Sequence, residues 1–213
     1  MKVKWLGHAS FLIISEEGLR IITDPYHTGG NINYAEIKES ADVVTISHGH
    51  GDHNNAAGVG GNPEVVTKSR KVKGIEFRGI DSYHDNAGGK QRGANTIFCF
   101  TVDGINICHL GDLGHQLDNR QVTGIVPVDI LLIPVGGYFT IDAKIASQVA
   151  DKLKPKVIIP MHYKTDKCDY PIAKVADFLA GKKEVHQLET SEVEFKKEDL
   201  PPTTEIVVLN PAN

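Results

Sequence analysis

Residues 43–55, VVTISHGHGDHNN, run from β-branched and apolar residues straight into three histidines and an aspartate: His48, His50, Asp52 and His53. The preceding segment, ADVVTIS (41–47), is short and almost wholly apolar, which predicts a strand covered on both faces. The polar cluster that follows adds nothing to a hydrophobic core. In an extended loop His48 and His50, two apart, point the same way and can grip one ion. Asp52 and His53 follow Gly51, where the backbone can turn, and can grip a second. Gly49 and Gly51 keep Cβ atoms out of a tight bend. Imidazole and carboxylate donors with one position left for water suit a divalent metal in a hydrolytic site. Two ions roughly 3.5–4 Å apart can clamp both the attacking and the leaving oxygen of a displacement. The nitrogen-rich set favours zinc or manganese over a redox di-iron centre. The plain alternative is a hydrophilic loop with scattered histidines. HxHxDH arises by chance on the order of once in a thousand chains of this composition.

The 213 residues are 40% hydrophobic and 23% charged, an ordinary globular composition. One domain over 1–213 is expected. The net charge of −4 speaks against a nucleic-acid partner bound by bulk electrostatics, and no apolar run is long enough to span a membrane. The opening MKVKWLGHASFLII resembles a secretory signal only until Gly7 and His8 interrupt it, and no small-residue cleavage site follows. A hairpin reading fits it better, and the expected location is the cytoplasm. Cys99, Cys108 and Cys168 are odd in number and lack a CxxC, so neither a disulfide framework nor a cysteine zinc site is expected. Ten histidines is high for this length.

Outward from the cluster, KVKWL (2–6) and FLIIS (11–15) flank the tight GHAS, and EEG then turns into LRIITDP (19–25). Further strands are expected at EVVT (64–67), GIEFRGIDSY (74–83), DILLIPVGG (129–137), KVIIPMHY (156–163) and TEIVVLN (204–210). GHGDHNNAAGVGG (49–61) is a glycine-rich loop that can open into a short helix. IFCFTVDGINICHL (97–110) is a hairpin about Asp103-Gly104, pairing 98 with 109, 100 with 107 and 102 with 105. That register sets Cys99 opposite Cys108, as free thiols. Helices are expected from Ile141 to Leu153, stopped by Pro155, and from Pro171 to Ala180, followed by Gly181. Many strands with late helices fit two sheets covered by helices on their outer faces. Several buried strands end in a potential ligand: VVTIS at His48, INICHL at Gly111-Asp112 and VIIP at Met161-His162. Side chains at strand ends converge on one rim of a sheet.

HxHxDH at the end of a buried strand resembles the metallo-β-lactamase superfamily, and the likeness runs along nearly the whole chain. WLGHASFLI and RIITDP resemble its opening hairpins and first-motif aspartate, here Asp24. SYHD resembles the third-motif histidine, His84; HLGDLGH the bridging aspartate, Asp112; and IPMHYKT the last-motif histidine, His162. GHAS, GDLG and PMHY together look closest to small metal-dependent hydrolases related to the L-ascorbate-6-phosphate lactonase. The resemblance implies an α/β, four-layer αβ/βα sandwich with two divalent ions, Zn²⁺ or Mn²⁺. It puts His48, His50 and His84 on one ion, Asp52, His53 and His162 on the other, and Asp112 between them. Asp52 counts among the catalytic groups as well as the ligands. A hydroxide held between the ions would be the nucleophile, and Asp24 would orient the His48 loop from behind the ligands.

The remaining candidates rest on position. His109 shares a face with Phe98, Phe100 and Ile107, and reads as a hydrogen-bonded core histidine, although it competes with His84 for the third-motif role. His8, His27 and His186 read as structural or exposed. His115, just past Asp112, could donate a proton to the leaving group. The loop DNAGGKQRGANT (85–96) follows His84 directly, placing Arg92 and Asn95 to meet substrate, with Lys164 as a second cation; arginine suits bidentate capture of phosphate or carboxylate. The expected activity is hydrolysis of an ester-like bond (lactone, carboxylic ester or phosphodiester) in a small, anionic molecule, without membrane or nucleic-acid partners. A non-catalytic metal-binding or regulatory protein on the same fold, and a nuclease, are the alternatives.

Overall fold

In the opening strands Val3, Trp5, Phe11, Ile13, Ile21 and Val43 point into one interior, while Leu6, Leu12, Ile22 and Val44 point to the opposite face. This two-residue alternation makes a sheet with apolar surface on both sides. The computed structural model describes residues 1–212. Its first sheet has six strands: β1 (Lys2–Gly7), β2 (Ser10–Ile14), β3 (Arg20–Thr23), β4 (Val43–Thr45), β5 (Glu64–Val66) and β13 (Glu192–Glu194), in the order β13-β1-β2-β3-β4-β5. The second has eight: β6 (Arg70–Val72), β7 (Ile75–Tyr83), β8 (Ala94–Val102), β9 (Ile105–His109), β10 (Ile130–Pro134), β11 (Val157–Met161), β12 (Val185–Gln187) and β14 (Glu205–Val208), in the order β12-β14-β11-β10-β9-β8-β7-β6. The wholly buried parallel strands β10 and β11 form its centre, as expected of strands covered on both faces.

Three helices, α1 (Asn119–Ile125), α2 (Ala143–Leu153) and α3 (Val175–Leu179), cover the eight-stranded sheet, with α1 along β7 and α2 along β10. Asp142 caps α2 by accepting from the Ile145 N–H, and Ala146, Val149, Ala150 and Leu153 form its buried stripe. The expected α/β sandwich is present, with a difference in its outer cover. On the six-stranded side Tyr26, Ile32, Tyr34, Ile37, Cys168 and Ile172 overlie Leu6, Leu12, Ile22 and Val44. They come from chain without helix. Pro25, Gly29 and Gly30 break up that segment, and its apolar side chains lack helical spacing. Tyrosine hydroxyls hold it instead: Tyr26 donates to the Leu6 and Ala35 carbonyls, and Tyr34 pairs with Thr165.

The hairpin register is as expected, with Phe98 opposite His109, Phe100 opposite Ile107 and Val102 opposite Ile105. Asp103 and Gly104 both take positive φ, at 49° and 74°, the signature of a two-residue turn matched to strand twist. Cys99 and Cys108 face each other as free thiols, Sγ to Sγ 3.2 Å. Among the described residues no helix is long and apolar enough to cross a membrane.

Candidate metal centre

Strand ends from both sheets meet at one rim. The β1–β2 turn brings His8, the end of β3 brings Asp24, and the loop after β4 carries His48, His50, Asp52 and His53. From the second sheet come His84 after β7, Asp112 after β9 and His162 after β11. The donor atoms of His48, His50 and His84 lie within 4.8 Å of one another, and so do those of His8, Asp52, His53 and His162. Asp112 sits between the two groups. Its Oδ2 is 3.2 Å from His84 Nε2, 3.3 Å from His53 Nε2, 3.3 Å from His162 Nε2 and 3.9 Å from His48 Nε2. The structure thus brings together all seven side chains that the sequence nominated as ligands.

Hydrogen bonds behind this group aim it. Asp24, fully buried, accepts from the Ser47 N–H (2.7 Å) and hydroxyl, and from His53 Nδ1 (3.0 Å). Ser47 in turn pairs with His48 Nδ1 at 2.9 Å. One carboxylate therefore orients one histidine of each group, as expected for Asp24. His109 is not part of the cluster. Its Nε2 meets the Ala9 carbonyl at 2.8 Å and its Nδ1 accepts from the Gly111 N–H, so it is the hydrogen-bonded core histidine that its hairpin face implied. Of the two histidines, His84 is the one whose ring lies with His48 and His50.

Charge is concentrated here. Burial works against ionising Asp112, but the imidazoles of His162 and His53 outweigh it and hold the carboxyl well below its ordinary range. Burial likewise disfavours a charged His53, yet Asp112, Asp24 and Asp52 raise its pKa well above the usual value. His48, pushed down to about 3 chiefly by burial and then by His53, stays neutral. Several buried polar atoms in this space have no hydrogen-bond partner: His8 Nε2, His48 Nε2, His53 Nε2 and Asp112 Oδ1. An unpaired buried polar group costs roughly 1–3 kcal/mol, and native structures keep few of them. Three imidazole nitrogens and one carboxylate oxygen left unpartnered in one buried space fit a bound cation, and a set of imidazole and carboxylate donors fits a divalent one.

Residues 2–162 match the model of a β-lactamase superfamily domain. The chain belongs to the metallo-β-lactamase superfamily. A metal-dependent hydrolase from Carboxydothermus hydrogenoformans is 35% identical over 196 residues, covering 78% of this chain and 85% of the relative. One from Thermococcus onnurineus is 31% identical over 193 residues, with the same coverage. A crystal structure of a candidate zinc-dependent hydrolase of the superfamily from Thermotoga maritima superimposes with a TM-score of 0.82 at 38% identity, covering 98% of this chain and 97% of that one.

The superfamily's cluster opens here into a cavity of about 330 Å³ lined by His50, Asp52, His84, Arg92, Asp112, Phe139, His162 and Tyr170. Arg92 reaches it as expected, its guanidinium 5.5 Å from the Phe139 ring centroid. Three other expectations are corrected. Asn95 is buried and spent on the fold: it donates to Ser82 Oγ and the Leu110 carbonyl, and accepts from the Asp112 N–H at 2.9 Å. It holds the backbone of Asp112 and does not meet substrate. His115 turns away, accepting from the Tyr83 N–H through Nε2 and pairing its Nδ1 with the Gln116 carbonyl. With both ring nitrogens engaged outside the cavity, it is no proton donor to a leaving group. The Lys164 ammonium leans on the Tyr170 carbonyl (3.4 Å) and Asp169 (3.8 Å), outside the cavity lining.

Phe139 and Tyr170 were not anticipated, and His8, expected to be structural or exposed, is instead buried with Asp52, His53 and His162. Nothing local marks the two aromatics; they meet edge to face (centroids 5.1 Å apart) only in the folded chain. Two glycines also serve the site. A Cβ on Gly136 would overlap the His162 carbonyl, and one on Gly114 would overlap the backbone at His84–Asp85. Gly136→Ala should therefore displace His162, costing about 1–3 kcal/mol of stability. Its metal content should fall along with its melting temperature, whereas Gly18→Ala, where a Cβ meets nothing, should keep full metal content.

Proposed function

We propose that the chain is a hydrolase that uses two divalent ions, Zn²⁺ or Mn²⁺, to cleave an ester-like bond of a small anionic molecule. The observation that carries this is the single cavity joining two donor groups about Asp112 to the guanidinium of Arg92. His48, His50 and His84 would hold one ion, Asp52, His53 and His162 the other, with Asp112 shared. Bound ions would supply Lewis-acid polarisation and acidify water. The relatives named above carry the description of metal-dependent hydrolases, and the likeness to the L-ascorbate-6-phosphate lactonase branch supports a lactone among the candidate bonds.

The chain's own side chains do the rest. The Asp85 carboxylate accepts from the N–H groups of Ala87, Gly89, Gln91 and Arg92, which ties the Arg92 loop to the residue next to His84. Phe139 supports the guanidinium as a cation–π partner. Among the described residues no carboxylate lies within ion-pair distance of it. An unpaired cation beside two metal ions is electrostatically costly unless an anion lies between them, and arginine's planar fork matches phosphate or carboxylate. Phe139 and Tyr170 meet edge to face and give the cavity an aromatic wall. The size of the cavity suits a small molecule.

A screen of generic lactones, carboxylic esters and phosphodiesters with metal-loaded protein tests the reading; metal-dependent turnover of none of them would reject it. For the substrate found, Arg92→Ala should raise KM at least tenfold, since a charge-assisted bond contributes about 1.5–3 kcal/mol. A neutral analogue should lose much less, with metal content unchanged. Equal losses for both would reduce Arg92 to a loop-ordering residue.

A further inference from the structure

His8 lies on the β1–β2 turn, far in sequence from every other site residue, yet its ring is fully buried inside the cluster. Its Nε2 is 3.3 Å from Asp52 Oδ2, and its ring centroid is 4.1 Å from that of His162 and 5.1 Å from that of His53. Neither ring nitrogen has a hydrogen-bond partner, so the approach to Asp52 lacks the alignment of a hydrogen bond. Other contacts fix the residue in place. The His8 carbonyl accepts from the Trp5 indole N–H (3.1 Å) and the His162 N–H (3.1 Å), and its backbone sits in the left-handed region at φ 52°. A non-glycine residue held there carries strain that the surroundings must impose. His162 itself has φ 51°, so two hydrogen-bonded residues in the same unusual conformation aim their rings at one point. With metal–ligand bonds of ~2.1 Å and angles of about 90–120° at a five-coordinate ion, neighbouring donors lie about 3.0–3.6 Å apart. The 3.3 Å from His8 to Asp52 falls in that range and the 3.8 Å from His53 to Asp52 lies just above it.

We infer that His8 is a metal ligand through Nε2, added to Asp52, His53 and His162 on the second ion. This rests on the two-ion reading above and extends it. The two sites then differ in kind. The first takes three imidazoles and the Asp112 bridge. The second takes three imidazoles, Asp52 and the bridge, a higher coordination number that leaves less room for water. The water-accessible edge of the pair therefore lies on the His50 side, where the ligand is exposed. The second ion serves to hold and polarise.

The test uses cobalt(II) in place of the native metal, on the full chain. In the wild type, proton NMR of the cobalt-loaded protein should show six hyperfine-shifted imidazole N–H signals, from His8, His48, His50, His53, His84 and His162. His8→Gln keeps an N–H donor near the position of Nε2 but is a poor ligand. It should keep the first ion and bind the second at least tenfold more weakly, with a changed visible spectrum. Five shifted imidazoles in the wild type, or cobalt titration of His8→Gln that matches wild type in affinity and spectrum, would overturn the assignment and leave two-ion binding standing. A wild type that takes up no second cobalt would overturn both. The wild-type count does not depend on whether the variant folds.

Discussion

Asp112→Ala is expected to lose metal and activity together. The Asp112 carboxylate approaches four imidazoles from both donor groups, so on the two-ion proposal truncation would take a shared ligand from both ions and a negative charge from the middle of the cluster. Polar partners outside the ligand set are typically worth roughly 10–100-fold in metal affinity or activity; a shared ligand should exceed that. Elemental analysis of the purified variant should give well under one ion per chain against about two for wild type. Asp112→Asn, which keeps the shape without the charge, should fall between them. Full occupancy in the alanine variant would remove Asp112 from the bridging position.

Asp24→Ala should come next in size, although Asp24 is not among the proposed ligands. It accepts from His53 Nδ1 and the Ser47 N–H and hydroxyl, and through Ser47 it reaches His48. Both ions should weaken about 10–100-fold, the scale for orienting partners, and the stranded Ser47 groups should cost about 1–3 kcal/mol in stability. Competition with a chromophoric chelator reads the first effect and thermal melts the second. A variant that melts early but binds both ions normally would make Asp24 a purely structural carboxylate. Burial alone would raise its pKa, but hydrogen bonding and charge from His53, with His109 and His48 nearby, lower it. A depressed carboxylate contributes fully above its unfolded pKa of about 4 and loses that contribution only as pH falls through the lower folded value. The metal-free protein should therefore keep this support down to pH of about 4.

The parts of the site that were legible in the sequence share a physical cause. HxHxDH, Asp112 and His162 each follow a run of buried apolar residues, so strand prediction and ligand prediction reinforced one another. The Asp103-Gly104 turn let the register of β8 and β9 be counted out, and with it the exclusion of His109. Position in a loop was a weaker guide. Asn95 and Arg92 both lie close after His84 in sequence. But Asn95 begins the inward alternation of β8 and is consumed by the Asp112 backbone, while Arg92 stays in the loop and reaches the cavity. His115 failed similarly, since nearness to Asp112 along the chain does not say which way a ring turns. His8, Phe139 and Tyr170 join the site through tertiary contacts alone, and no local pattern announces that. The short strands β6, β12 and β13 (RKV, VHQ and EVE) carry one apolar residue each, which leaves no apolar run to read.

The donors are divided between the sheets: His48, His50, Asp52 and His53 follow β4 of one, while His84, Asp112 and His162 follow β7, β9 and β11 of the other. A cation held by both groups is a rivet through the sandwich. Occupancy at 100 times the dissociation constant adds about 2.7 kcal/mol to stability by mass action alone, a large share of what such folds have. Starved of metal, the chain would then lose more than turnover. Its two halves would part more often, exposing backbone to proteases, and the amount of enzyme present would follow the metal supply.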